Sequence, residues 1–136
     1  MEHINLAANS ISSEAASAIT DYNISQKLQI VDLASNKLSS MPELLLEACC
    51  ASIVVLNCSN NQITDITNST QLFYCTRLRK LDLSSNRINL IPVSNVISAF
   101  KQLQYFSIVE NPIQNIPKQL IPPEVSVCIN AVQLNS

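Results

Sequence analysis

Glycine does not occur once in the 136 residues of this chain, and that absence removes several activities before any motif is sought. Phosphate-cradling loops, dinucleotide-binding turns and nucleophile elbows all need backbone conformations that only Gly supplies. Without it, turn positions that need positive φ are expected to fall to Asn and Asp, which tolerate the left-handed region best among the remaining residues. Histidine is nearly as scarce. His3 stands alone, so no imidazole is at hand for a Ser or Cys nucleophile elsewhere in the chain. Charged residues make up only 13% of the sequence, for a net charge of −2, and the densest basic group, Arg77, Arg79 and Lys80, falls short of a phosphate-neutralising footprint. Nucleic acid is therefore not the expected primary partner. No stretch of 18 apolar residues occurs, so no membrane-spanning helix is expected. Met1 opens directly on a patterned segment that leaves no room for a signal peptide, so the chain reads as cytoplasmic or otherwise intracellular.

Cysteine is present, but in the wrong pattern for metal or disulfide chemistry. The five thiols, Cys49, Cys50, Cys58, Cys75 and Cys128, are odd in number and contain no C-x-x-C pair, and His3 lies at the opposite end from most of them. Reduced thiols in an intracellular protein account for them, and no metal site or cofactor is expected. N-x-S/T sequons at Asn23, Asn57 and Asn68 read as accidental in a chain rich in Ser, Thr and Asn.

What the sequence does contain is one eleven-residue phrase written five times: MEHINLAANSI from Met1, LQIVDLASNKL from Leu28, IVVLNCSNNQI from Ile53, LRKLDLSSNRI from Leu78 and LQYFSIVENPI from Leu103. Apolar residues hold its first, fourth, sixth and eleventh places. Asn holds the ninth, as Asn9, Asn36, Asn61, Asn86 and Asn111. A repeat this regular implies a solenoid, because each unit can bury its apolar face only against its neighbours. Fourth and sixth places are spaced by two, so both side chains leave one face of a strand, and a buried parallel strand suits them. The ninth-place Asn is polar where the core forms. An amide buried without partners costs about 1–3 kcal/mol, so the five asparagines are read as a structural ladder that bonds neighbouring turns.

The phrase resembles the leucine-rich repeat signature, L-x-x-L-x-L-x-x-N-x-L, across most of the chain. The resemblance implies an α/β solenoid bent into an arc, with a parallel sheet on the concave side and short helices or irregular loops on the convex side. Its full repeats begin near residues 1, 28, 53, 78 and 103 of a single domain spanning 1–136. A degenerate strand follows near 125–130, where Val127 and Ile129 would take the fourth and sixth places. Helices are expected over Ser13 to Ile19, from Pro42 to Cys50 on Leu44, Leu45, Leu46 and Cys49, and at Val93, Val96, Ile97 and Phe100, which share one helical face. Thr64 to Thr70 is β-branched and polar and should be an irregular loop, before Leu72 and Phe73 return to the core.

Function must then be read from an exposed surface. The third-place residues His3, Ile30, Val55, Lys80 and Tyr105, and the fifth-place residues Asn5, Asp32, Asn57, Asp82 and Ser107, alternate with core positions and should project from the concave side. Asp32 and Asp82 are separated by Asn57, about 10 Å apart at ordinary strand spacing, so they are solvated residues and not a catalytic pair. The strip of Ile30, Asp32, Val55, Asn57, Lys80, Asp82 and Tyr105 combines apolar area, an aromatic anchor and polar groups, the composition of a protein-binding surface. Ile4 and Leu6 belong to a first strand with nothing before it, and an uncapped solenoid end is expected to self-associate or meet a partner. These residues describe a non-enzymatic interaction module, a subunit or adaptor of a larger assembly that binds another protein and has no small-molecule substrate. Two other readings are a secreted or surface recognition protein, with oxidised Cys or a glycosylated Asn68, and an RNA-associated subunit binding through Arg77, Arg79, Lys80 and Arg87.

Overall fold

The computed structural model describes residues 2–17, 27–113, 116–117, 126–128 and 134–135. Each phrase opens on a short strand. β1 (Glu2–Asn5), β2 (Leu28–Asp32), β3 (Val55–Asn57), β4 (Lys80–Asp82) and β5 (Tyr105–Ser107) stack in chain order as neighbours in one parallel sheet. Its register aligns like places of the repeat: Ile4, Val31, Leu56, Leu81 and Phe106 are consecutive partners across it. Each strand needs a neighbour on either side, so the sheet grows one strand per repeat and its side chains stack in columns.

From the second repeat to the fifth, every first, fourth, sixth and eleventh place is buried, from Leu28, Val31, Leu33 and Leu38 to Leu103, Phe106, Ile108 and Ile113. Cys58 fills a sixth place as a small hydrophobe and is fully buried. The first repeat differs. Ile4, Leu6 and Ile11 are only half-buried against the same core.

The convex elements close the turns. Helix α1 (Ser13–Ser17) starts after Ser12, whose Oγ accepts the Ala15 N–H at 3.2 Å, and it buries Ala16; the rest of the expected helix, to Ile19, lies outside the described residues. Helix α2 (Glu43–Cys49) buries Leu45, Leu46 and Cys49 but leaves Leu44 exposed. Helix α3 (Val93–Ala99) follows Pro92 and buries Val96, with Phe100 beyond its end also buried. The third repeat returns through irregular turns and a single 3₁₀ turn (Leu72–Tyr74), as its β-branched, polar composition requires. Asp65 braces that stretch, accepting the Thr67 N–H at 2.7 Å, the Thr67 hydroxyl and the Asn68 amide at 2.9 Å. Glu43 of α2 reaches across to accept the Ser69 hydroxyl and the Gln71 N–H, which ties the irregular return to the helix before it. The Phe73 and Phe100 rings stack at 5.8 Å and join the third return to the fourth.

A later strand, β7 (Ser126–Cys128), pairs with β5 and makes the sheet six-stranded; its Val127 aligns with Phe106 and so takes the fourth place. Val125 and Ile129 lie outside the described residues. Beyond the sequence-based expectation, β6 (Ile116–Pro117) and β8 (Leu134–Asn135) form a separate parallel pair.

One expectation is overturned. Among the described residues positive φ occurs at Ala8, Ser35, Asn60, Ser85 and Glu110, with φ from 53° to 61°, so only one of these five is Asn and none is Asp. All five occupy the eighth place, one residue before the ladder Asn. In the first four repeats the backbone there turns its N–H onto the seventh-place carbonyl of the next repeat: Ala8 to Ala34 at 2.9 Å, Ser35 to Ser59 at 2.9 Å, Asn60 to Ser84 at 2.9 Å and Ser85 to Val109 at 2.7 Å. Stacking geometry dictates the conformation, whatever side chain is present. The left-handed region costs an L-residue about 1–2 kcal/mol, partly offset in a Gly variant by its greater unfolded-state freedom. Ser85→Gly should therefore raise stability by about 0.5–1 kcal/mol, measured as a higher urea midpoint.

Candidate functional site

Strand register brings the third-place side chains into one column, His3 beside Ile30, then Val55, Lys80 and Tyr105. Ile30, Val55 and Tyr105 are half-buried, while His3 and Lys80 are exposed. The Lys80 ammonium sits 5.0 Å from the centre of the Tyr105 ring, within the range of a cation–π contact. Four adjacent strands thus present two β-branched side chains, a cation and an aromatic ring in sequence, over about 14 Å at ordinary strand spacing.

The fifth-place column behaves differently from a freely projecting set of polar groups. Asn5, Asp32, Asn57 and Asp82 each direct Oδ1 to the N–H two residues on, at 3.0 Å in every case: Ala7, Ala34, Ser59 and Ser84. Asp82 Oδ1 also accepts the Ser84 hydroxyl at 2.6 Å. These are Asx turns, which close the corner between strand and turn. Their signal was present in the sequence as the recurring Asn/Asp, apolar, Ala/Ser triplet. Ser107, expected to project with the others, is instead buried, its short side chain lying between the strand partners Asp82 and Cys128. Asp32, Asn57 and Asp82 remain half-buried beside the third-place column, with one oxygen each committed to the backbone.

On the turn side, the ninth-place asparagines connect successive repeats. The Asn86 amide donates to the carbonyls of Cys58 in the preceding repeat and of Leu83 and Ser84 in its own, at 3.0, 3.0 and 3.1 Å, and its oxygen accepts the Ile63 N–H at 3.0 Å. Asn36 and Asn61 repeat the pattern, and Asn111 bonds Leu83, Ile108 and Ile88 in the same way. All four are buried. Asn9 is exposed and donates to Leu6 and Ala7 of its own repeat.

Ile4, on β1, and Leu6, just beyond its end, are half-buried, and β1 pairs, among the described residues, with β2 alone. Sequence reasoning missed a cavity of about 230 Å³ on the flank, lined by Ser39, Ser40, Met41, Glu43, Thr64, Asp65, Asn68 and Ser69. Its two carboxylates already serve the fold through the bonds of Glu43 and Asp65 described above, and the hydrogen bonds from Thr67 hold the Asp65 carboxyl below its usual pKa. Among the described residues no three His, Cys, Asp or Glu side chains converge as metal ligands. Cys49, Cys50, Cys58 and Cys75 are free thiols. Burial, reinforced by Asp32 and Asp82, pushes the Cys58 pKa up to about 12; burial, reinforced by Cys50, does the same for Cys49. Cys75 is raised further by burial and by the neighbouring Cys49 and Cys50. Such thiols are poor nucleophiles, because the reactive species is the thiolate. No helix among the described residues is long and apolar enough to cross a membrane.

Family models describing "Leucine Rich repeats (2 copies)" and "Leucine Rich Repeat" match residues 26–71 and 77–98, together half of the chain. Among curated proteins, the mouse leucine-rich repeat serine/threonine-protein kinase 1 is 27% identical over 120 residues, which is 86% of this chain and 6% of that protein. Its namesake from Caenorhabditis elegans is 29% identical over 90 residues, 66% of this chain and 4% of that protein. The chain thus spans a small fraction of these relatives, and the kinase activity in their names is theirs. Among solved structures, the LRR ectodomain of the receptor kinase SOBIR1 from Arabidopsis thaliana superposes with a TM-score of 0.64 at 22% identity, over 96% of this chain and 70% of that one. That likeness concerns the fold.

Proposed function

The chain belongs to the leucine-rich repeat family, and from that premise we propose that it is a non-enzymatic interaction module, a subunit or adaptor that binds another protein through the concave face of its sheet. Solenoids of this kind offer extended concave surfaces to protein partners. The observation that carries the reading is the third-place column: Ile30, Val55, Lys80 and Tyr105 are contiguous, partly accessible and outside the buried core cluster. An aromatic anchor next to β-branched area is the composition from which binding hot spots are made. The free thiols, of which Cys49, Cys58 and Cys75 are buried, suit a reducing compartment, and we place the protein inside the cell.

Partner complexes recovered from the native source test the site. Tyr105→Ala and Val55→Glu should each weaken partner binding about tenfold or more, the loss typical of a truncated anchor, at an unchanged urea midpoint. Lys101→Glu and Glu47→Lys change exposed residues outside the concave column and should leave binding intact. The reverse pattern would move the site off the concave face.

A second reading rests on the first repeat. Ile4 and Leu6 are half-exposed where their counterparts in later repeats are buried, so a further repeat, a partner or a second copy laid against β1 would complete their burial. Under this reading polar substitutions at Ile4 and Leu6 reduce association, measured by sedimentation, and the concave variants do not.

A further inference from the structure

We infer that the concave strip takes an acidic segment of its partner, one carrying apolar side chains beside its carboxylates. This rests on the concave-face reading above and specifies the chemistry of the occupant.

Cations are unevenly distributed over the chain. Of its eight Lys and Arg residues, Arg77, Arg79, Lys80 and Arg87 crowd into one stretch at the fourth repeat, and all four are exposed. Register then places apolar and cationic side chains next to each other. Val55 is the strand partner of Lys80, and the Val54 carbonyl accepts the Arg79 N–H at 2.8 Å, which sets Val54 beside Arg79 in the second-place row. Ile30 extends the apolar side beyond Val55. Tyr105 bounds Lys80 on its far side, with the ammonium 5.0 Å from the ring centre. A cation resting over a ring keeps its N–H donors for an incoming carboxylate. Asp82 and Asp32 each turn one oxygen away to the backbone, Asp82 Oδ1 accepting the Ser84 N–H and hydroxyl and Asp32 Oδ1 the Ala34 N–H.

A segment laid across the strands therefore meets apolar area first and then positive charge. Apolar side chains seat on Ile30, Val54 and Val55, and carboxylates meet Arg79 and Lys80. Charge complementarity of this kind sets partner choice and association rate, and it weakens with salt. A nucleic-acid strand fits the same surface poorly. Two exposed cations on the strip neutralise few phosphates, no apolar contact is gained by a phosphate backbone on Ile30, Val54 and Val55, and one tyrosine is a short stacking platform.

Selection from a phage-displayed library of random peptides against the purified chain tests the inference. Recovered peptides should be enriched in Asp and Glu adjacent to Leu, Ile, Val or Phe. Combined Arg79→Glu and Lys80→Glu substitution should reduce their affinity at least about tenfold without moving the urea midpoint, and peptides remade with Lys in place of their acids should bind that variant better than they bind the parent. Peptides without acidic enrichment that are nonetheless lost on Val55→Glu would overturn the acidic inference and leave the concave-face reading standing. Failure to recover peptides, or binders indifferent to Val55→Glu and to charge reversal, would overturn both. Tighter binding of oligouridylate than of any selected peptide, abolished by the charge reversal, would overturn the inference in favour of single-stranded RNA.

Discussion

Replacing Asn86 with Leu should destabilise the protein by about 2–4 kcal/mol, a large share of the stability of an ordinary domain. Asn86 makes four hydrogen bonds from a buried position, and their loss is unequal. The carbonyls of Cys58 and Leu83 each retain a second ladder partner, Asn61 and Asn111 respectively, and the Ser84 carbonyl keeps the Asn60 N–H. The Ile63 N–H, bonded to Asn86 Oδ1, is left stranded, and an unsatisfied buried donor carries the full desolvation cost. Leu has the same branching but a tetrahedral Cγ with two bulkier methyl groups where the amide was planar, so it adds strain inside a close-packed turn. The same exchange at Asn9, exposed and bonded only to nearby carbonyls by its amide, should cost well under half as much. Urea midpoints of the two variants decide the matter: equal effects, or none at Asn86, would mean that the ladder does not hold the repeats together.

Alkaline pH should unfold the protein through its buried thiols. The sign follows from linkage. Cys58 has its folded pKa raised from 9.0 to about 12, so between these values the native state holds a proton that the unfolded chain releases, and stability falls as pH rises. Below pH 9 the contribution of Cys58 is complete; through the window from about 9 to about 12 it is lost. Two pH units into that window a single such thiol removes on the order of 2–3 kcal/mol. Cys49 and Cys75, raised by burial in the same direction, add to the trend. Urea midpoints followed upward from neutral pH should therefore drop steeply for the parent and less steeply for Cys58→Val, which fills the same core place without a proton to lose. Parallel curves for the two proteins would show that Cys58 ionisation plays no part.

Much of the architecture was legible because the repeat is a burial pattern, and burial is what side-chain chemistry encodes most directly. Leu81 and Leu83, spaced by two, had to leave one face of a strand, and the 25-residue recurrence put Leu56 and Phe106 beside Leu81 before any coordinates were known. The helix at Val93–Ala99 followed from period-3.6 spacing, and the irregular return after Thr64 from its β-branched, polar composition. The concave column was legible for the same reason: third places are what remains outside when fourth and sixth places are inside.

Hydrogen-bond partners were less legible, since they come from a residue's place in the stack and not from its identity. The fifth-place carboxylates and amides looked like free binding groups, yet one oxygen of each closes an Asx turn. Nothing in the chemistry of Glu43 announced that it would accept bonds from Ser69 and Gln71, 26 and 28 residues away.

By itself, then, the sequence determined which apolar places of the repeat are buried, which strands are neighbours and in what register, because a fixed period of apolar places leaves a solenoid one way to stack. Only the tertiary structure decided the left-handed backbone at Ala8, Ser35, Ser85 and Glu110, the hold of Lys80 over Tyr105 and the bridge from Glu43 to the third return. Each of these depends on where the neighbouring repeat presents a carbonyl, a ring or an N–H, and that position is set by stacking distance and angle, which no single phrase contains.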